Sequence, residues 1–504
     1  MEELAEDYNL LVKKMRALEI LLLVCVTVLP FVKRPLLTVV HRKYVLGFLI
    51  LTLVLHLSIE GWRWQMLIAY FLILVLLWRI IRVNLSKPSK LTFFRGLGFL
   101  MTILLVIIGW VLPIVLPVFS LPEPTGPYRV GTQWIHLKTE LKETITKDPT
   151  DNRELMIKVW YPSNATVTKK HEPYVDQANR LGFITKYSQG ILPSWTINYL
   201  DRVKTHVYEG IAIANEKFPI LIFSHGYGSK STGYYALLTE LASHGYVIVN
   251  MTHTYESLGT TFPDGTMKFF DYDFQAKISS ESMKHIDPIK DAFTKDISFK
   301  ERHAILREAS KEYSVTEVIK RWSKDIVYTI DQFDGWNTQG FFKNKLDVTK
   351  IGVFGHSVGG GAAGQATIKD NRIKAAANID GVQWGEMMDT IYHKPFLYIS
   401  ADWPTSHPDI NSHAYLHKST DYFYETKLLK SGHPNFMDIP FMIPIKSIAG
   451  TGTIDARLGI EITTQLVTTF FDKHLKKNKT IDLRKLGEHY ELLEMTIHKG
   501  DSVR

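Results

Sequence analysis

Apolar residues are spread unevenly along this chain. Four nearly unbroken apolar runs, at 18–32, 44–59, 62–78 and 96–119, fall in the first 120 residues, after which short β-branched runs alternate with polar turns and amphipathic stretches. A bilayer core takes about 17–25 helical residues, so 96–119 spans unaided. The three shorter runs can reach across with interfacial help from Trp62, Trp64 and Trp78 and with Lys33, Arg79 and Arg82 snorkelling to the headgroups. The pattern therefore predicts a helical transmembrane domain over 1–119 with four spans. The first run carries Glu19 and Pro30, but its long charged leader and lack of an A-x-A site argue against a cleaved signal peptide.

Residues 120–127 hold three prolines and read as an extended linker that cannot continue a helix. Beyond it, β-rich runs appear at 128–137, 155–161, 218–223, 246–251, 351–354, 375–379, 396–399 and 422–429, with helical stretches at 233–243, 315–333 and 359–368. Strands alternating with helices predict a mainly parallel sheet covered by helices on both faces, an α/β domain over 128–504. The first two runs, joined by a polar loop, predict an antiparallel hairpin at the sheet edge. A polar insertion near 254–315, helical in patches, reads as a lid or pocket wall.

Charge refines this picture. Lys and Arg exceed Asp and Glu by 59 to 51, but residues 1–120 alone hold 13 basic and 6 acidic side chains, leaving 46 against 45 for the rest. The basic excess thus flanks membrane runs, and no nucleic-acid surface is expected. The first and third loops carry nine basic residues (Lys33, Arg34, Arg42, Lys43, Arg79, Arg82, Lys87, Lys90 and Arg95). The opposite side carries five (Lys13, Lys14, Arg16, Arg63 and Arg129), which predicts a multi-pass protein of the cell membrane with its α/β domain outside the cytoplasm. Cys25 is the one cysteine, so no intrachain disulfide, Cys-rich zinc site or CxxC redox motif is possible.

The chemistry concentrates at 351–364, where Gly355-His356-Ser357-Val358-Gly359 matches G-x-S-x-G. A β-branched run enters it and small residues leave it. That is the strand–turn–helix context in which a strained turn holds a serine hydroxyl out of the sheet in an α/β-hydrolase fold. In the order serine, acid, histidine, the base is expected after the last core strand. His433 meets that condition, whereas His407, His413 and His417 precede the strand and read as surface residues. Asp380 and Asp402 each end a strand run and are equally placed to orient His433. The backbone N–H of Val358 supplies one oxyanion donor, and the turn His225-Gly226-Tyr227-Gly228 offers that of Tyr227 as the second.

Taken in order, Gly126-Pro-Tyr-Arg-Val-Gly131, Val159-Trp-Tyr-Pro162, Phe223-Ser-His-Gly-Tyr-Gly228, Leu241-Ala-Ser-His-Gly-Tyr246, Gly355-His-Ser-Val-Gly-Gly360, Asn378-Ile-Asp380 and Gly432-His-Pro-Asn-Phe436 resemble the platelet-activating factor acetylhydrolase family over about 126–440. The resemblance implies a Ser357, Asp380, His433 triad, with Asp402 beside it. It also implies hydrolysis of short or oxidised acyl esters of phospholipids without metal or other cofactor. The membrane runs and the insertion depart from that family. A serine peptidase or acyltransferase on the same scaffold, and a non-catalytic membrane sensor, are the alternative readings, because an elbow and a triad leave the acyl acceptor open. With no cofactor expected, the partners are membrane lipids or an apolar ester.

Overall fold

The computed structural model describes residues 15–31, 39–82, 93–284, 286–381, 386, 390, 393–404 and 422–499, so His407, His413 and His417 lie outside the described residues. The chain divides into two compact units. One takes in the first 120 residues with Trp195–Val203 and Phe441–Ala449, and the other holds the remainder.

The helical unit contains α1 (Ala17–Val28), α2 (Val39–Leu55, prolonged by a π turn His56–Glu60), α3 (Leu67–Arg82, entered through a 3-10 turn Trp64–Met66) and α4 (Phe93–Val115). The stretches His41–Glu60, Trp64–Arg82 and Gly96–Val115 are long and apolar enough to cross a membrane. The first expected span is shorter. Its helix has 12 residues, about 18 Å at 1.5 Å per residue, because the chain tightens into a 3-10 turn at Leu29–Phe31 around Pro30. In α3 the buried positions are Ala69, Leu72, Ile73, Leu76 and Ile80, a stripe at helical spacing, while Phe71, Leu74, Trp78 and Ile81 stay exposed. Exposed apolar faces of this kind suit lipid.

One buried charge cluster ties these helices at one end. Arg63 donates to both Glu19 oxygens, at 2.6 and 2.8 Å, and to the Leu116 carbonyl at 2.7 Å. Glu60 accepts the amides of Leu18 and Glu19 and the Nδ1–H of His56. The start of α1, the 60–63 loop and the end of α4 therefore share one end of the bundle, as alternating up-and-down runs require.

The second unit is built on a ten-stranded sheet: β1 (Arg129–Lys142), β2 (Asn152–Ser163), β3 (Val207–Glu209), β4 (Phe218–Ser224), β5 (Val247–Thr252), β8 (Leu346–His356), β9 (Ile373–Ile379), β10 (Phe396–Ser400), β11 (Phe423–Leu428) and β12 (Leu493–His498). Their order is β12-β11-β10-β9-β8-β4-β5-β2-β1-β3. The six strands from β11 to β5 run parallel, while β12, β2 and β1 join antiparallel. The hairpin of β1 and β2 is thus one strand in from the edge. Three residues of β3 pair outside it, too few and too ordinary in sequence to signal a strand. Alternate residues of β4 face opposite ways. Ile220 and Ile222 join a core with Val318, Trp322 and Ile326 of α10 (Val315–Asp331) and Ala362 and Ala366 of α11 (Val358–Lys369). On the other face, Phe223 packs on Phe354, and Phe354 on Phe471 of α12 (Ala456–His474). This is the α/β-hydrolase architecture, covered on both faces. The insertion contains the hairpin β6 (Gly259–Thr261) and β7 (Met267–Phe269) and the helices α7 (Tyr272–Lys284), α8 (Ile286–Thr294) and α9 (Phe299–Glu312). Ile278, Ile289 and Leu306 of those helices enter the same core as α10.

Candidate active site

The turn at Ser357 follows from close packing. Between β8 and α11, Ser357 has φ 58° and ψ −129°, a conformation that disfavours an L side chain by about 1–3 kcal/mol and needs the surroundings to hold it. Those surroundings admit only glycine on either side. A Cβ on Gly355 would lie 2.2 Å from the Gly359 carbonyl oxygen, and one on Gly359 would lie 2.1 Å from that of Ser224. The Ser357 N–H donates to Ile379 O at 2.9 Å, fastening the turn to the end of β9.

Immediately beyond that anchor, Asp380 takes φ 50° and donates its N–H to Ile399 O at 2.6 Å. Its carboxylate is almost fully buried. Oδ1 accepts from the Ala401 N–H and the Trp403 indole, each at 2.9 Å, and Oδ2 accepts from His433 Nδ1–H at 2.5 Å. The two aspartates that are equivalent in sequence are therefore distinguished by tertiary placement. Asp402 is exposed and turns to the backbone of the loop before His433, accepting the Lys430 N–H at 2.8 Å and donating its own N–H to Ser431 O at 3.1 Å.

His433 stands in a 3-10 turn, His433–Phe436, after β11. Asn435 braces the turn by accepting the N–H groups of Gly432 and Gly452 at 2.8 and 2.7 Å. The ring of His433 is about one-third exposed and lies 4.4 Å, centroid to centroid, from that of His356.

The loop after β4 is held so that one amide is left over. Gly226 N–H donates to the Tyr234 hydroxyl at 3.0 Å and Gly228 N–H to Glu256 O at 2.8 Å, while Tyr227 N–H has no acceptor among the described residues. Val358 is the first residue of α11, where an amide lacks an intrahelical acceptor. A Cβ built on Gly226 would lie 3.4 Å from Ser357 Cβ, which puts this loop against Ser357. All five expected site residues, Ser357, Asp380, His433, Tyr227 and Val358, thus come from the loops at the carboxyl ends of β4, β8, β9 and β11.

Sequence reading missed the residues that join these loops. The Tyr234 O–H donates to His356 Nδ1 at 2.9 Å, and His356 Nε2–H donates to the His433 carbonyl at 3.1 Å, linking the Gly226 loop to His433. Burial, then the charge of His433, pushes His356 well below the ordinary histidine range and keeps it neutral. Asp438 accepts the N–H groups of Tyr235 and Ala236 at 2.8 and 3.1 Å, capping α6 (Tyr235–Ser243) from some 200 residues away. Neither Tyr234 nor Asp438 stands in a motif, so no local signal marks them.

As for metals, among the described residues Glu19, His56 and Glu60 of the helical unit form the one group of ligand-type atoms close enough to share an ion. The two carboxylates are already occupied by Arg16, Arg63 and three backbone amides. That donor set fits a charge cluster rather than a metal centre.

With this geometry in hand, comparison with known proteins is informative. Residues 114–488 match the family described as platelet-activating factor acetylhydrolase, isoform II. A platelet-activating factor acetylhydrolase of Cavia porcellus is 24% identical over 396 residues, 72% of this chain and 80% of the relative. That of Canis lupus familiaris is 26% identical over 288 residues, 53% of this chain and 59% of the relative. The ferulic acid esterase of Streptomyces cinnamoneus superposes with a TM-score of 0.55 at 25% identity, covering 73% of this chain and 96% of that one.

Proposed function

The chain belongs to the platelet-activating factor acetylhydrolase family, isoform II, and is a carboxylic ester hydrolase; from that premise we propose that it is a membrane-held serine esterase acting through Ser357, His433 and Asp380. The observation that carries the reading is the buried Asp380 carboxylate receiving His433 Nδ1–H at 2.5 Å. That bond fixes the tautomer, leaving Nε2 as the atom with a free lone pair. His433 Nε2 takes the proton of Ser357 as its oxygen bonds to the ester carbonyl carbon. The carbonyl electrons move to oxygen, where the Tyr227 and Val358 amides receive them. Collapse expels the alcohol with the proton from His433. Water, deprotonated by His433, then attacks the acyl-enzyme and releases the acid.

For substrate we favour short-acyl phospholipid esters or comparable apolar esters. Two observations support this: the acetylhydrolase relatives, and three span-length apolar helices, which permit membrane association. Held at a bilayer, the enzyme meets lipidic esters at raised effective concentration. The basic loops favour an extracytoplasmic catalytic unit.

The test uses the full chain in detergent micelles. A fluorophosphonate should label wild type and leave Ser357→Ala unlabelled, and short-acyl phosphatidylcholine should be hydrolysed much faster than peptide amides. No labelling of wild type would end the esterase reading, whereas faster amide turnover would replace it with a peptidase.

A further inference from the structure

A second serine–histidine–aspartate chain lies behind the oxyanion loop, closed to solvent. Ser224, the last residue of β4, donates its hydroxyl to His253 Nε2 at 2.8 Å. His253, just past β5, donates Nδ1–H to Asp325 of α10 at 2.7 Å, and Asp325 accepts Arg153 Nε and Nη2, each at 2.7 Å. Ser224, His253 and Asp325 have no exposed surface and Arg153 has 1%, so no substrate reaches them and the chain cannot act as a nucleophile. Its connections lead to the loop. The His253 N–H donates to His225 Nε2 at 3.2 Å, and the His253 ring stacks on Trp322 at 3.8 Å and 6°. Trp322 in turn stacks on the Tyr227 ring and donates its indole N–H at 2.7 Å to Glu256, whose carbonyl holds the Gly228 amide. On the other side, the Ser224 carbonyl is the atom that Gly359 must clear.

We propose that Ser224, His253 and Asp325 are positioning residues for catalysis: the buried chain fixes the backbone from Ser224 to Gly228 against the nucleophile turn, so that the Tyr227 N–H is aimed at the developing oxyanion before substrate arrives. The residue types fit that task. A neutral imidazole accepts on one nitrogen and donates on the other, and so transmits a fixed geometry from a carboxylate to a hydroxyl. Asp325 is in turn pinned by a guanidinium that also meets Glu143 and Glu256. An oxyanion donor acts mainly in the transition state. Loosening it should therefore lower kcat and leave ground-state binding alone.

This rests on the esterase reading above, and the experiment separates the two. Full-length wild type, Ser224→Ala, His253→Phe and Asp325→Asn are assayed in micelles with para-nitrophenyl acetate and with a trifluoromethyl ketone that forms a tetrahedral adduct. Thermal midpoints are recorded in parallel. Ser224→Ala removes one oxygen and is the variant expected to keep its fold. It should lose about 10-fold or more in kcat with KM within about twofold and a near-native midpoint, and ketone affinity should fall by the same factor as kcat. Asp325→Asn and His253→Phe should follow with larger kcat losses. Unchanged kcat in Ser224→Ala, or kcat and midpoint falling together with a rise in KM in every variant, would overturn the inference while leaving the esterase reading intact. A wild type that neither hydrolyses the ester nor labels at Ser357 would instead remove the premise.

Discussion

At the scale of single residues, the site separates groups that look alike in sequence. Asp380 and Asp402 both end strands, yet one receives His433 and the other receives the backbone of Lys430. Asp380→Asn should lower kcat by orders of magnitude through loss of the charge that orients and stabilises the imidazolium, whereas Asp402→Asn, which disturbs only a loop contact, should cost about 10-fold or less. Steady-state hydrolysis by the two purified variants checks the ranking. Acid should also act on a residue that does no chemistry. Burial, then neighbouring His253, lowers the His225 pKa from 6.5 to about 3. Below pH 6.5 an unfolded chain takes up a proton that folded His225 refuses, so stability falls as pH drops from 6.5 toward 3. By pH 5 that difference is about 2 kcal/mol. Urea midpoints at pH 7 and pH 5 should show a larger gap in wild type than in His225→Asn.

At the scale of elements, the turn at Ser357 is set by contact distances more than by propensity. Gly359→Ala puts a methyl 2.1 Å from the Ser224 carbonyl, so β4 and α11 must separate. We expect about 1–3 kcal/mol of destabilisation together with lost activity, read by thermal melting and ester turnover on the same preparation. In the helical unit the telling element contact is Arg63 with Glu19, each 1% exposed. Arg63→Met leaves a buried carboxylate short of its main partner and should cost about 3 kcal/mol. Adding Glu19→Gln removes the orphaned charge and should recover part of the loss. A double variant less stable than the single one in detergent melts would refute that account. Three of four apolar runs form span-length helices and the first does not, because apolar content can be counted along a sequence, whereas the helix end at Pro30 depends on local backbone geometry.

At the scale of the whole molecule, the prediction concerns sidedness. With nine basic residues in the first and third loops against five opposite, protease added to intact cells or spheroplasts should degrade the catalytic unit. Protection that is lost only on lysis would reverse the orientation.

What the sequence determined by itself is what short-range patterning encodes. All eight strand runs expected in the catalytic unit are present. The turn at Ser357 was legible because a strained strand-to-helix turn needs glycines at fixed offsets, and chain order pointed to the loop after β11, where His433 lies. What only the tertiary structure decided is everything that depends on which loops meet. It decided which of Asp380 and Asp402 meets His433, the bracing of His433 by Asn435, the Tyr234–His356 link, the outer strand β3, and the buried Ser224–His253–Asp325 chain, whose members are up to 101 residues apart. Hydrogen-bond partners across such separations are fixed by the register of a folded sheet and the packing of α10 on it. No local pattern of apolar and polar positions carries that information.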